Sequence, residues 1–320
     1  IRLLALSKVI RLVLHADGAG SLLLEGPAGC GKTALLEHVA RTTPPESAAF
    51  IRFPLIPSST ADDVHDRLIQ CAEVDKHRHV TPRGGGALVL FVDDLHLPNK
   101  GRDGGQEPLE MLRLMLDQGR WLMPSSASQH KQSGGRMTPY QTHVGIRFVA
   151  AMRSSGGLAG LPSGRLLRRM HALPLLLPSS AQVASIFDKL IVEAMGDFVA
   201  SLPAADTLVQ ATARLWELLQ KRLPAHVSRP HLAWRLDDLS ALTLGCRQAG
   251  VEKLTTDRSA AQLWWNECDA TFARRDAEHT PAVHGAMAEV LGQYWVHLRP
   301  EQLREGEGSS AAPSSGGGGG

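Results

Sequence analysis

Hydrophobic and polar positions follow two different patterns along this chain. Between residues 21 and 177, short apolar runs alternate with segments whose apolar residues recur at helical spacing. Apolar strands joined by helices are typical of a parallel sheet that is covered on both faces. We therefore expect an α/β domain that binds ligands at the carboxyl ends of its strands. The predicted strands are Ser21–Glu25, Phe50–Leu55, Leu88–Asp93, Ile146–Met152 and Leu173–Leu177.

From residue 178 onward the pattern is helical, with apolar residues at i, i+3 and i+4. The final residues are rich in Ser, Ala, Pro and Gly, which favours disorder. We expect a large α/β domain over residues 1–177, which begins with a helix, a small helical domain over 178–295, and a disordered tail over 296–320. The helices predicted in the small domain are Ala181–Met195, Ala205–Leu223, Leu236–Ala249 and Ala260–Arg275.

A glycine-rich loop follows the first predicted strand. Its glycines allow several backbone N–H groups to point at one phosphate, and the helix after it offers its positive N-terminal end. In the G-x-x-x-x-G-K-[ST] motif, the lysine reaches the β and γ phosphates and the threonine hydroxyl binds Mg²⁺. A strand before the loop and a helix after it are the context that this motif requires, so we expect nucleotide binding. The predicted contacts are Gly26, Pro27, Ala28, Gly29, Cys30, Gly31, Lys32 and Thr33.

A second candidate site segment is the apolar run that ends in Asp93 and Asp94. At the carboxyl end of a strand, Asp93 can hold Mg²⁺ beside Thr33. Many P-loop ATPases have Glu at the next position, where it orients and deprotonates the attacking water. Asp94 is one methylene shorter than Glu, and catalysis depends steeply on position. Asp94 is thus the catalytic candidate, and the sequence leaves hydrolysis open.

Composition narrows the function classes further. The net charge of +2 over 320 residues gives no basis for nucleic-acid binding, and no apolar run approaches the length of a membrane span. We therefore expect neither nucleic acid nor membrane as a partner. The four cysteines are scattered and form no C-x-x-C pair, which favours a reducing compartment and disfavours a zinc site.

The segments that follow the second apolar run resemble the dynein heavy chain family. The resemblance covers about residues 1–280 in collinear order. The segment 93–98 is similar to the family's I-D-D-x-N-M-P, and 105–113 to its Y-G-x-Q-P-P-I-E-L-L-R-Q. Residues 148–152 with Gly156 and Gly157 resemble F-V-A-A-M-x-P-P-G-G. Further similar segments are 165–170, 231–240 and 264–274. The resemblance points to the third AAA+ module of an axonemal-type dynein.

The resemblance implies a P-loop AAA+ module with a large α/β part and a small helical lid. Six such modules would close into a ring within one heavy chain, with ATP or ADP and Mg²⁺ bound between neighbours. The partners implied are the neighbouring modules, and microtubules only through other parts of the motor. The implied location is cytoplasmic and cytoskeletal, in a ciliary or flagellar axoneme. The third module is regulatory in this family, because its nucleotide state gates the motor cycle.

When this chain is aligned with the family pattern, three positions correspond to residues that assist hydrolysis in the family. The polar sensor position after the fourth strand, usually Asn, falls at Arg153. The sensor arginine of the small domain falls at Asp237, whose charge would repel a triphosphate unless it is turned away. Arg168 matches the arginine finger that would serve the preceding module, since its planar fork suits phosphate oxygens. Its alternative role is that of a surface cation on a helix.

The interpretation is an ATP-binding AAA+ module of a dynein heavy chain that contributes to or regulates the microtubule motor cycle. Two alternatives stay open at this point. One is a structural ring spacer that holds nucleotide without hydrolysis, which the altered sensor positions favour. The other is a different AAA+ remodelling ATPase, which would call for a basic face or pore-loop aromatics.

Overall fold

The computed structural model divides the chain into two compact units, Ile1–Leu177 and Pro178–Gly320. Within the part that it describes, no helix is long and apolar enough to cross a membrane. Of the predicted leading helix, it describes only residues 7–8 and 10–11, which are helical. The described residues are 7–8, 10–11, 21–83, 86–123, 140–154, 160–196, 199, 202–224 and 234–304.

The first unit combines strands and helices in alternation. Its strands are β1 (Ser21–Glu25), β2 (Ala48–Pro54), β3 (Ala72–Val74), β4 (His79–Pro82), β5 (Ala87–Asp93), β6 (Arg120–Leu122), β7 (Tyr140–His143), β8 (Ile146–Met152) and β9 (His171–Pro174). Its helices are α1 (Lys32–Thr42), α2 (Ala61–Cys71), α3 (Glu107–Gln118) and α4 (Gly164–Leu167).

Five of these strands form one parallel sheet in the order β2-β5-β8-β1-β9. Along β5, Leu88, Leu90 and Val92 pack into the core that includes residues of α2 and α3. Val89 and Phe91 face the other side, where they join residues of α1 in a second core. Both faces of the strand are therefore buried, which explains its nearly continuous apolar sequence. The predicted α/β class with a parallel sheet is confirmed.

A second sheet, in the order β3-β4-β7-β6, is mixed parallel and antiparallel. The sequence pattern predicts flexible loops at 81–86 and 124–142, but residues 81–82 belong to β4 and 140–142 to β7. Residues 84–85 and 124–139 lie outside the described part. Strands of three or four residues are too short to show a period of two, so hydrophobic patterning does not reveal them.

The second unit is helical and has its own core. Trp264 donates from Nε1 to Thr212 Oγ1 at 3.1 Å, and its ring centroid lies 5.4 Å from that of Trp295. The last helix falls within the range predicted to be disordered, where Leu303 is buried in the core; residues 305–320 lie outside the described part. The helices are α5 (Ser180–Met195), α6 (Pro203–Arg222), α7 (Leu236–Ala249), α8 (Asp257–Phe272), α9 (Thr280–Tyr294) and α10 (Pro300–Arg304), with short 3₁₀ turns at Val251–Leu254 and Ala273–Arg275.

Candidate functional site

The sheet order brings three loops of the first unit to one edge. β8 lies between β5 and β1, with Val92 opposite Ala150 and Glu25 opposite Met152. The strands are parallel, so their carboxyl ends meet at the same edge. The loop after β1, the residues after β5 and Arg153 after β8 are therefore neighbours. This edge is where an open α/β sheet binds ligands.

Backbone geometry explains the glycines of the loop after β1. Gly29 has φ 75° and Gly31 has φ 89°, a left-handed conformation that favours glycine. A Cβ on Gly26 would lie 2.3 Å from the carbonyl oxygen of Leu175. Gly31 is also the N-cap of α1, so the turn delivers the chain directly into that helix. The loop conformation thus requires glycine at these positions.

Lys32 is held within this loop. Its Nζ donates to the carbonyl oxygens of Gly26 at 2.9 Å and Pro27 at 2.7 Å. The ammonium group lies on the first residue of α1, where the helix dipole also places positive charge. Together they form a local environment that attracts an anion. Cys30 is buried in the core on the α1 side, so its side chain contributes packing.

Thr33 and Asp93 lie side by side, although 60 residues separate them in the chain. Thr33 Oγ1 donates to Asp93 Oδ2 at 3.1 Å. Asp93 is only 5% exposed, and a buried carboxylate needs donors around it. It receives two more, from Arg52 Nη2 to Oδ2 at 2.9 Å and from the Asp94 N–H to Oδ1 at 3.1 Å. The contact from Arg52 was not predicted from the sequence.

The donor set fits a magnesium nucleotide. Mg²⁺ prefers oxygen ligands, and a threonine hydroxyl next to a carboxylate supplies them. The glycine turn, the ammonium group of Lys32 and the start of α1 suit the phosphates. Thr33 and Asp93 would hold the metal, while Lys32 and the loop backbone would hold the phosphates.

Asp94 adopts an unusual backbone conformation. Its φ is 56°, in the left-handed region that few residues other than glycine occupy. Its carbonyl oxygen accepts the N–H of Leu97 at 2.9 Å, while the N–H of Leu95 donates to Ala151 of β8 at 2.9 Å. These bonds fix a tight turn after β5. Aspartate is one of the residues that tolerate this conformation.

His96 lies beneath this turn and is 1% exposed. Its Nδ1 faces the N–H of Arg153 over a long 3.5 Å, and its Nε2 is buried without a hydrogen-bond partner among the described residues. Burial lowers the pKa of His96, and the charge of Asp94 opposes this effect. Sequence reasoning missed this residue, although the family pattern has Asn there, a departure that could have signalled it.

The family to which this chain is similar decides the identity of the fold. The P-loop containing dynein motor region family matches residues 7–178, more than half of the chain. The chain belongs to this family. The resemblance to dynein heavy chains is thereby confirmed, and the fold is the α/β fold of an AAA+ module. Its assignment to the third module of the dynein motor region stays a prediction.

Similar curated proteins are also dyneins. Human dynein axonemal heavy chain 2 is 28% identical over 88% of this chain, and the mouse protein of that name is 27% identical over 88%. The dynein-1-beta heavy chain of the flagellar inner arm I1 complex from Chlamydomonas reinhardtii is 25% identical over 85%. The chain spans only 6% of the length of each of these heavy chains.

Two predicted dynein positions lie apart from the phosphate loop in sequence. Arg168 is the exposed C-cap of α4, and its N–H donates to Gly164 O at 3.1 Å. Asp237 is exposed in the first turn of α7. An acid there stabilises the helix through its dipole, which gives Asp237 a structural role of its own. Its neighbour Asp238 is buried, accepts the Arg235 N–H at 2.7 Å and pairs with Arg275.

Proposed function

We propose that this chain is a nucleotide-binding AAA+ module of a dynein heavy chain that takes ATP or ADP with Mg²⁺. The contact between Thr33 Oγ1 and Asp93 Oδ2 carries the proposal, because it joins the two oxygen groups that a bound Mg²⁺ requires. The adjacent Lys32 supplies the positive charge for the phosphates. The family match favours this function over that of an unrelated remodelling ATPase.

Each residue of the site has a separate task. Lys32 and the N–H groups at the start of α1 bind and orient the phosphate oxygens. Mg²⁺, when bound, would neutralise charge on the nucleotide. Thr33 and Asp93 fix its position, and the turn at Asp94 presents a carboxylate as the candidate for positioning water.

The wider role follows from the relatives. Heavy chains named axonemal and flagellar match this chain over most of its length, which supports a cytoskeletal location in a cilium or flagellum. The chain corresponds to a small part of such a protein, so its partners would be neighbouring modules of the same heavy chain. Microtubules would be reached through other parts of the motor. Arg168 would serve the site of the preceding module.

A second candidate function is a module that holds nucleotide without hydrolysing it. Arg153 and Asp237 favour it, since both depart from the sensor residues of the family pattern. A regulatory module needs only a γ-phosphate that biases two states, so slow turnover is compatible with that role.

Equilibrium binding of ATP and ADP to the purified chain with Mg²⁺ tests the proposal. We expect Lys32→Ala to weaken binding by about a hundredfold, because it removes a charge-assisted contact to phosphate. Lys76→Ala is the matched control, since Lys76 is exposed in the turn between β3 and β4 and should leave the affinity unchanged. A folded chain that binds no nucleotide, or one indifferent to Lys32→Ala, would overturn the proposal.

A further inference from the structure

A pair of salt bridges lies beside the phosphate loop. Arg52 of β2 donates from Nη1 to Glu37 Oε1 at 2.8 Å and from Nη2 to Asp93 Oδ2 at 2.9 Å. Glu37 lies on α1, one helical turn after Thr33. We call these three residues the Arg52 bridge. It joins β2, α1 and β5 around the carboxylate assigned to Mg²⁺.

Sheet register places Arg52 within reach of Asp93. Arg52 lies opposite Phe91, and Pro54 lies opposite Asp93, on adjacent parallel strands. Residues two apart on a strand share a face, so Arg52 and Asp93 project from the same face of the sheet. The guanidinium carbon also lies 5.9 Å from the ring centroid of Phe91, which favours this position of the cation.

Asp93 already has a cationic partner in Arg52, which shares its single positive charge between Asp93 and Glu37. The Asp93 side chain is 7% exposed, and its Oδ2 accepts from both Arg52 and Thr33. Its Oδ1 accepts the N–H of Asp94. A buried carboxylate needs a partner of opposite charge, and here Arg52 supplies part of the positive charge that a divalent ion would otherwise supply.

We propose that Arg52 regulates the metal requirement of the nucleotide site by competing with Mg²⁺ for Asp93. The inference rests on the proposed nucleotide binding and adds a regulatory residue to it. A fixed guanidinium repels a second cation at the same carboxylate, and it covers one of the two oxygens. Mg²⁺ demands near-ideal octahedral geometry, so a carboxylate that is shared with a guanidinium holds the metal less tightly than an unshared one does. In the wild type, Mg²⁺ at Thr33 and Asp93 therefore adds less to nucleotide affinity than it would if Asp93 had no cationic partner, and Lys32 and the loop backbone contribute the larger share.

The test compares the wild-type chain with Arg52→Gln. ADP affinity is measured with Mg²⁺ and with EDTA, and Mn²⁺ binding to the ADP complex is measured by electron paramagnetic resonance. In Arg52→Gln we expect Mn²⁺ to bind at least about tenfold more tightly, because one full charge beside Asp93 is gone. EDTA should weaken ADP binding about tenfold more in Arg52→Gln than in the wild type.

Arg41→Gln is the matched control. Arg41 lies 3.7 Å from Glu37 and has a highly exposed side chain, so this change removes a charge from the same network without touching Asp93. It should leave both measurements unchanged. A melting curve gives an independent readout: Mg²⁺ with ADP should stabilise Arg52→Gln more than it stabilises the wild type or Arg41→Gln, because Asp93 of Arg52→Gln lacks a cationic partner.

The outcomes separate the two proposals. If Arg52→Gln matches the wild type while ADP binding still depends on Lys32, the role of Arg52 is wrong and nucleotide binding stands. If neither folded protein binds ADP, both proposals fail. If both proteins bind ADP and only Arg52→Gln gains affinity for Mn²⁺, the competition between Arg52 and the metal is supported.

Discussion

The candidate site has two parts, which we call the binding half (Lys32, Thr33 and Asp93) and the reaction half (Asp94, His96 and Arg153). They differ in how completely their polar groups are paired. In the binding half, Lys32 contacts two loop carbonyl oxygens, and Thr33 donates to an Asp93 that accepts three hydrogen bonds in all. In the reaction half, Asp94 has a left-handed backbone and His96 has a buried nitrogen without a hydrogen-bond partner among the described residues. Arg153, whose N–H faces His96, falls where the family pattern has a polar sensor.

The difference shows what each task requires of the chain. Phosphate binding needs a glycine turn and the start of a helix, which one short segment supplies. Hydrolysis needs a water, a base and a sensor placed with high accuracy by several elements. Substitutions that preserve the fold can therefore weaken the second task while leaving the first intact.

The largest expected effect is on the binding half, from Gly26→Ala. The added Cβ would lie 2.3 Å from a backbone oxygen, so the loop or the neighbouring chain must shift. We expect a loss of about 1–3 kcal/mol in stability, as for an overpacked site, and loss of ADP binding. Hydrogen exchange of the β1 and β5 amides and ADP titration would measure the two effects.

Gly285→Ala provides the control for that change. Gly285 lies within α9, and a Cβ there meets no atom within 4 Å. Alanine is the better helix former, so this variant should gain up to about 1 kcal/mol and bind ADP normally. If the two variants had the same stability and the same ADP affinity, the packing requirement at Gly26 would be wrong.

Much of the structure of the binding half could be predicted from the sequence. A buried parallel strand and a P-loop helix are marked by local patterns, and β1 and β8 have the bounds that hydrophobicity predicted. Which strand ends meet at one edge follows from parallel topology. The placement of Lys32, Thr33 and Asp93 could thus be predicted, although their binding of nucleotide stays a proposal.

The features that the sequence did not predict depend on contacts between segments that are distant in the chain. Nothing in the sequence around Arg52 indicates that it faces Asp93, because the register of β2 against β5 decides this. The buried environment of His96 likewise depends on how the turn after β5 packs against β8. The second sheet was missed because its strands are too short for a periodic signal.

An intermediate effect is expected in the reaction half, from Asp94→Asn. Asparagine tolerates the left-handed backbone, so stability and ADP affinity should change little. If Asp94 positions the attacking water, ATP turnover in the assembled ring should fall at least about tenfold. Asp94→Ala distinguishes the effect of the backbone conformation from the effect of the carboxylate. Alanine tolerates the left-handed conformation poorly, so this variant should also lose about 1 kcal/mol of folding stability. Unchanged turnover in both variants would remove Asp94 from the mechanism.

The smallest effect, a change in pH dependence, tests the environment of His96. Burial lowers its pKa in the folded chain below the ordinary 6.5, while nearby Asp94 and Asp93 oppose the shift and Arg153 and Lys32 add to it. The unfolded chain therefore binds a proton at a higher pH than the folded chain does. The contribution of neutral His96 to the free energy of unfolding is fully present above about pH 7 and is lost as the pH falls through 6.5.

His96→Asn should remove this contribution, because asparagine does not titrate and is the residue of the family pattern at that position. The free energy of opening β5, measured by hydrogen exchange between pH 7.5 and pH 5.5, should fall less steeply in His96→Asn than in the wild type. His38→Asn is the control, since His38 is exposed on α1 and its loss should leave the slope unchanged. An identical slope in His96→Asn and the wild type would mean that His96 titrates as it does in water, in contradiction to its burial. A shallower slope in His96→Asn with unchanged ADP affinity would show that His96 contributes to the pH dependence of stability and not to nucleotide binding.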